Sequence, residues 1–208
     1  MTLVALFSPD WESRPHPDNA VLLLHGFGSN ERDLPGIVAQ LGVDAPMVSL
    51  RAPLELDDGA YAWFPLDAEL NITREPVEDA TNIVWQWVDE NIDPETKLIV
   101  VGFSQGGCMA TQLLRTKPER IADTVILSGF VLDGPQPADG RLATLLPRVF
   151  WGRGTADTVI PPTLVAAASA RLDALTTLTV RIYEGLPHSV DDRELADVKA
   201  HLARGHLV

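Results

Sequence analysis

Apolar residues along the chain follow two rhythms. Short, nearly continuous runs rich in β-branched residues recur at "LVALF" (3–7), "AVLLLHG" (20–26), "PMVSLRA" (46–52), "KLIVVGF" (97–103), "DTVILSG" (123–129), "RVFWG" (148–152) and "LTVRIYEG" (178–185). The continuous apolar run Leu98–Gly102 carries the signature of a strand covered on both faces. Between most of these runs the period lengthens to that of a helix. "EPVEDATNIVWQWVDENI" (75–92) sets Val77, Ala80, Ile83, Val84 and Trp87 on one face. "PPTLVAAASARLDAL" (161–175) opens on prolines, which suit a first helical turn, and "DDRELADVKAHLAR" (191–204) is an amphipathic closing helix. Strand alternating with helix predicts βαβ units, and so an α/β fold with a mostly parallel central sheet and helices on both faces. No internal repeat or low-complexity linker interrupts the alternation, so a single domain is expected over residues 1–208. The stretches 53–74 and 133–147 fit neither rhythm and are expected to be loop excursions above the sheet, where substrate-facing loops usually lie.

Composition narrows the function. The chain has 208 residues, 46% hydrophobic and 22% charged, enough for one well-filled core. A net charge of −13 repels phosphates and anionic lipid surfaces, so no nucleic-acid partner is expected. No apolar run approaches the ~20 residues of a spanning helix, and no stable membrane insertion is expected. "MTLVALFSPDWESRP" lacks a basic lead-in and a small-residue cleavage site, so it reads as a first strand rather than a secretion signal. The single cysteine, Cys108, allows neither an internal disulfide nor a multi-cysteine metal site, and a reducing cytoplasm is the economical expectation.

One stretch joins the two rhythms abruptly. In "LIVVGFSQGGCMA" (98–110) a strand runs into Gly102-Phe103-Ser104-Gln105-Gly106 and then into helix. This fits G-x-S-x-G in the strand–turn–helix context that lifts one serine above the carboxyl edge of a sheet. The alternative is a Gly-rich turn that only packs a helix closely on the sheet. A serine hydroxyl is a poor nucleophile without a base in reach. Of five histidines, His16 lies in a Pro-rich loop, His201 on the polar side of the last helix and His206 in the tail, all expected at the surface. His25 ends a strand in "LLLHGFGSN" and is expected to shape the turn. His188, in "YEGLPHSV" between the last strand and the last helix, should stand at the same edge as Ser104 and is the expected base.

The imidazole needs an acid to fix its tautomer. Asp133 in "LSGFVLDG" and Asp157 in "WGRGTADTVIPP" both follow strands between Ser104 and His188, and position alone leaves both open. Asp157, held directly before a proline-started helix, is favoured. Acyl transfer also needs donors for the oxyanion. The Gln105 amide opens a helix, and Gly26 and Gly28 in "HGFGSN" free the backbone to offer the Phe27 amide. Cys108, one turn beyond Ser104, is expected to be inert packing. Trp63 in "YAWFPL" is a candidate floor for a substrate pocket, with Phe64 and Phe27 beside it.

Together these segments resemble the phospholipase/carboxylesterase family of α/β hydrolases, which includes the acyl-protein thioesterases. "LLLHGFGSNERDL", "RAPLELDDGAYAWF", "GFSQGGCMA", "VILSGF", "GTADTVIPP" and "YEGLPHSV" follow in the family's order over nearly the full length. The resemblance implies the α/β-hydrolase fold, Ser104 as nucleophile, Asp157 as acid, His188 as base, and backbone donors at Phe27 and Gln105. It departs from the family at Pro65, where an aspartate often follows Trp-Phe, and at Arg153-Gly154, where His-Gly is frequent. The segment 66–74 is where a family-specific lid is expected.

The reading is a serine carboxylesterase that works through an acyl-enzyme on short- to medium-chain esters, thioesters and lysophospholipid esters being variants of the same substrate class. It needs no metal and no organic cofactor. Its expected partner is a small-molecule ester, and a homodimer is compatible with it. Two rival readings fit less well: a dienelactone-hydrolase-like enzyme, disfavoured because that elbow normally carries Cys, and a silent hydrolase-fold binding protein, disfavoured because all three triad members are present.

Overall fold

A computed structural model of the chain describes residues 3–57, 59–67 and 71–208. The apolar runs become the strands β1 (Ala5–Phe7), β2 (Asn19–Leu24), β3 (Met47–Leu50), β6 (Lys97–Phe103), β7 (Ile121–Leu127), β8 (Arg148–Gly154) and β9 (Thr177–Tyr183). They form one seven-stranded sheet in the order β1-β3-β2-β6-β7-β8-β9, with β1 antiparallel to β3 and every other pairing parallel. The β6 run, continuous in apolar residues, lies near the middle and is buried from Leu98 to Gly102.

Alternate residues of the central strands feed opposite layers. Leu22, Leu24, Leu98 and Val100 meet α2 (Arg74–Asn91) and α3 (Gln105–Leu114) through Val77, Val84, Val88, Met109 and Leu113. On the other face Val21, Leu23, Ile99, Val101 and Phe150 meet Val38 of α1 (Pro35–Val38) and Val198 and Leu202 of α6 (Asp192–Arg204). Towards the β9 edge, α4 (Asp139–Leu145) and α5 (Pro162–Leu175) pack Leu142, Ala168 and Leu172 on Ile126, Val149 and Trp151. The period-2 and period-3.6 patterns thus meet in one layered core, with helices on both faces.

Two stretches expected as plain loops contain regular structure. Residues 53–74 hold a two-stranded hairpin, β4 (Leu54–Asp57) with β5 (Ala60–Ala62), and residues 133–147 hold α4. Both elements are too short to show a period in sequence. Arg115, 1% exposed, clasps Asp139 with its Nε and Nη2 at 2.9 and 2.8 Å and donates to the carbonyls of Leu132 and Gly134, which fixes the second excursion to the end of α3. No helix among the described residues is long and apolar enough to cross a membrane.

Candidate active site

The turn after β6 is strained. Ser104 has φ 53° and ψ −114°, a backbone region that side-chain-bearing residues rarely occupy. Its N–H donates to the Leu127 carbonyl at 2.9 Å, while its own carbonyl accepts from the amides of Gly107 and Cys108 in the first turn of α3. The flanking glycines make this possible. A Cβ on Gly102 would lie 2.1 Å from the Gly106 oxygen, and one on Gly106 would lie 1.9 Å from the Leu24 oxygen. The helix is therefore pressed against β2 and β6, and the Ser104 side chain, 8% exposed, stands at the carboxyl edge of the sheet.

Asp157 and His188 reach the same edge on the loops after β8 and β9. Asp157 Oδ1 accepts from the Val159 and Ile160 amides at 2.8 and 3.1 Å, so the loop itself orients the carboxylate. Its Oδ2 meets His188 Nδ1 at 2.7 Å. Facing a carboxylate, Nδ1 donates, and Nε2 is left as the basic nitrogen of the ring. The two loops touch because residue 154 is glycine: a Cβ there would lie 1.8 Å from the Leu186 oxygen. The Ala156 amide donates to that same oxygen. The His188 ring packs on Phe103, with centroids 4.9 Å apart.

Two amides complete the set. Among the described residues no acceptor receives the Phe27 or the Gln105 N–H. The Phe27 loop is braced by His25, which is buried; its Nε2 accepts from the Ala52 amide at 3.0 Å, so its Nδ1 donates to the Gly26 carbonyl at 2.7 Å. Desolvation holds the His25 imidazole below its ordinary pKa, in keeping with this neutral role.

Trp63 and Phe64 are not where the sequence led us to expect them. Both are buried, and neither lines the cleft beside Ser104. Trp63 Nε1 donates to the His25 carbonyl at 2.9 Å, and the Gln105 side chain joins the two residues, accepting from the Trp63 amide and donating to the Phe64 carbonyl. Hydrophobicity drew them inward, and the one polar atom of the indole found a partner there. They tie the Phe27 loop to the elbow instead of facing a ligand.

The cleft itself, about 230 Å³, is lined by Gly26, Phe27, Phe103, Ser104 and His188, with Leu66, Asp67, Phe130, Val159 and Ile160 as further walls. Of the expected pocket residues only Phe27, 44% exposed, lies there. Leu66, Phe130, Val159 and Ile160 have no sequence signature, because single apolar residues in loops carry no periodic signal. Of the expected lid, residues 66–74, positions 68–70 lie outside the described residues.

The remaining candidates are placed apart. Asp133 is 96% exposed at its side chain and accepts from the Gly134 amide of its own loop. Cys108 is buried, and desolvation pushes its thiol up to about 12. His16 is exposed and pairs with Asp93. His201 corrects the sequence reading: it is 1% exposed, with Nε2 2.9 Å from Asp123 Oδ1 inside the α6 face of the core. No cluster of His, Cys, Asp or Glu suited to a metal ion occurs among the described residues.

A strained serine turn, a carboxylate–histidine pair on the loops after β8 and β9 and two unpaired amides, set on the carboxyl edge of this sheet, define an α/β hydrolase. The sequence pattern of the phospholipase/carboxylesterase family matches residues 11–206, and the chain belongs to that family. It is similar to an acyl-protein thioesterase 1 of Cryptococcus neoformans, 25% identical over 219 residues, covering 88% of this chain and 90% of that one. Among solved structures it superposes on the esterase PE8 with a TM-score of 0.78, 25% identity and full coverage of both chains. It also superposes on a Bacillus cereus carboxylesterase with a TM-score of 0.79 and 22% identity, over 98% of this chain and 94% of that one, a likeness of fold. Membership in this family indicates a hydrolase.

Proposed function

We propose that the protein is a serine carboxylesterase in which Ser104 is the nucleophile, His188 the general base and Asp157 its orienting acid. The observation that carries this reading is the 2.7 Å contact between Asp157 and His188 at a cleft shared with Ser104. His188 Nε2 takes the Ser104 proton as the oxygen attacks the ester carbonyl. The Phe27 and Gln105 amides then stabilise the oxyanion, the Gln105 amide helped by its place at the start of α3. His188 returns the proton to the leaving alkoxide, and water repeats the sequence to free the acid. Thioesters follow the same route, and the name of the Cryptococcus relative puts them on the substrate panel.

The small, largely apolar cleft favours short to medium acyl chains. Each buried methylene adds about 0.8 kcal/mol, roughly fourfold in kcat/KM, until the walls are reached. The test is hydrolysis of p-nitrophenyl esters from acetate to decanoate by wild type and Ser104→Ala. Efficiency should climb to about butyrate or hexanoate and then level, and Ser104→Ala should lose several orders of magnitude in turnover while keeping its melting temperature. Full activity in Ser104→Ala would end the proposal.

A further inference from the structure

A second, larger hollow of about 450 Å³ lies on the far side of the Asp157 loop, where α5 stands off from β8 and β9. Trp151, Val165, Val180 and Ile182 give it apolar walls, and Ser128 and Arg153 supply polar ones. Two features of these polar residues have no use in the hydrolase site. The Ser128 hydroxyl is buried with no hydrogen-bond partner, on a residue held at φ 48° just after β7. Arg153 has a buried Nε with no acceptor, and its guanidinium makes no ion pair among the described residues, although the chain carries 29 acidic against 16 basic side chains. Instead it lies towards the Trp151 ring, 5.9 Å from the centroid. Unmet donors of this kind are costly to bury and are normally satisfied.

The carboxylate in the lining, Asp157, is already engaged by two amides and His188. The hollow therefore offers one cation without an ion pair in an apolar enclosure of ligand size. We propose that it is a binding site for a small monocarboxylate with a compact apolar body, its carboxylate on the Arg153 guanidinium and its body against Trp151, Val180 and Ile182. One guanidinium matches one negative charge, and the planar fork suits a carboxylate. Ile160 walls both this hollow and the Ser104 cleft, so an occupant bears on the segment that holds Asp157.

The probe is phenylacetate, with phenylacetamide as its uncharged counterpart, followed by NMR of the Trp151 indole N–H, which donates to the Gly129 carbonyl. Phenylacetate should shift this signal saturably while the Phe27 amide stays in place, and phenylacetamide should not. Arg153→Gln should weaken binding about tenfold or more, as loss of a charged hydrogen bond does, and Arg153→Lys should restore part of it. Should Arg153→Gln fold poorly, Ser169→Trp, on the exposed side of α5 at the mouth of the hollow, should block binding with the core intact. Equal binding of the amide, undiminished binding by Arg153→Gln or Ser169→Trp, or a shift at Phe27 in place of Trp151 overturns the site. The readout is binding, so it stands or falls apart from the esterase reading.

Discussion

Two histidine–aspartate pairs among the described residues have nearly the same contact distance and lie at opposite ends of the sheet, one half-buried and the other fully buried. His188 Nδ1 meets Asp157 at 2.7 Å beyond the carboxyl ends of β8 and β9. His201 Nε2 meets Asp123 at 2.9 Å near the amino end of β7. Their surroundings differ. Asp157 and His188 sit on loops, and the histidine opens on a cleft that also exposes Ser104. Asp123 is engaged on all sides: it accepts from its neighbour's amide, from His201 and from Arg148 Nε, while Arg148 also donates to the His201 carbonyl. His201 has its second nitrogen 3.3 Å from the Thr179 hydroxyl. A histidine whose two nitrogens both have protein partners has none left for a reacting hydroxyl. The pair alone is therefore no signature of chemistry. On the proposed reading, a free nitrogen, a neighbouring serine hydroxyl and a position at the strand carboxyl ends separate a proton-transfer site from a structural clamp.

The sharpest way to break this comparison is to substitute the two acids in turn. Asp157→Asn should lower turnover by about 10⁴, as loss of the orienting aspartate does in serine proteases, with little change in stability. Asp123→Asn should do the reverse. It leaves Arg148 and His201 facing a neutral amide in the core, and breaking a buried pair costs on the order of 3 kcal/mol. Turnover per folded molecule should stay near wild type. Urea unfolding and p-nitrophenyl butyrate hydrolysis on both variants check the pattern, and a large loss of turnover in Asp123→Asn would undo the distinction.

A smaller effect lies on the helix that carries His201. Glu194, in the first turn of α6, is buried against Gly152 without a hydrogen-bond partner for its carboxylate oxygens. Desolvation, with Asp191 and Asp197 nearby, pushes its pKa up to about 8 from an ordinary 4.5. The folded state then holds a proton that the unfolded chain releases, so stability falls as pH rises from about 4.5 to 8 and levels off above. Glu194→Gln removes this loss. It should match wild type near pH 5 and be more stable at pH 9 by on the order of 1–3 kcal/mol in chemical denaturation. An unchanged difference across that range would contradict the assignment.

α6 also shows where sequence reading stops. Its apolar pattern points to Val198 and Leu202, yet Glu194 and His201 fall in the same stripe, at i, i+4, i+7 and i+8, and are buried with them. Polarity hid the two residues, and the acid that meets His201 lies 78 positions away, beyond any local pattern. The elbow and the Asp157 and His188 loops were legible because each is a local motif whose place in a parallel sheet follows from chain order. Trp63 and Phe64 were legible as apolar but not in direction, since a loop has no period to assign a face. The cleft walls Leu66, Phe130, Val159 and Ile160 come from separate loops that only the fold brings together.

The central claim is that Ser104, served by His188 and not by His201, is the reactive group of the molecule. Labelling with a fluorophosphonate, followed by peptide mapping of the adduct, tests it most directly in wild type, His188→Ala and His201→Gln. Wild type should carry one adduct, on the peptide containing Ser104. His188→Ala should lose it, and folded His201→Gln should label at close to the wild-type rate. An adduct on another residue, or labelling that survives in His188→Ala and fails in folded His201→Gln, would contradict the account.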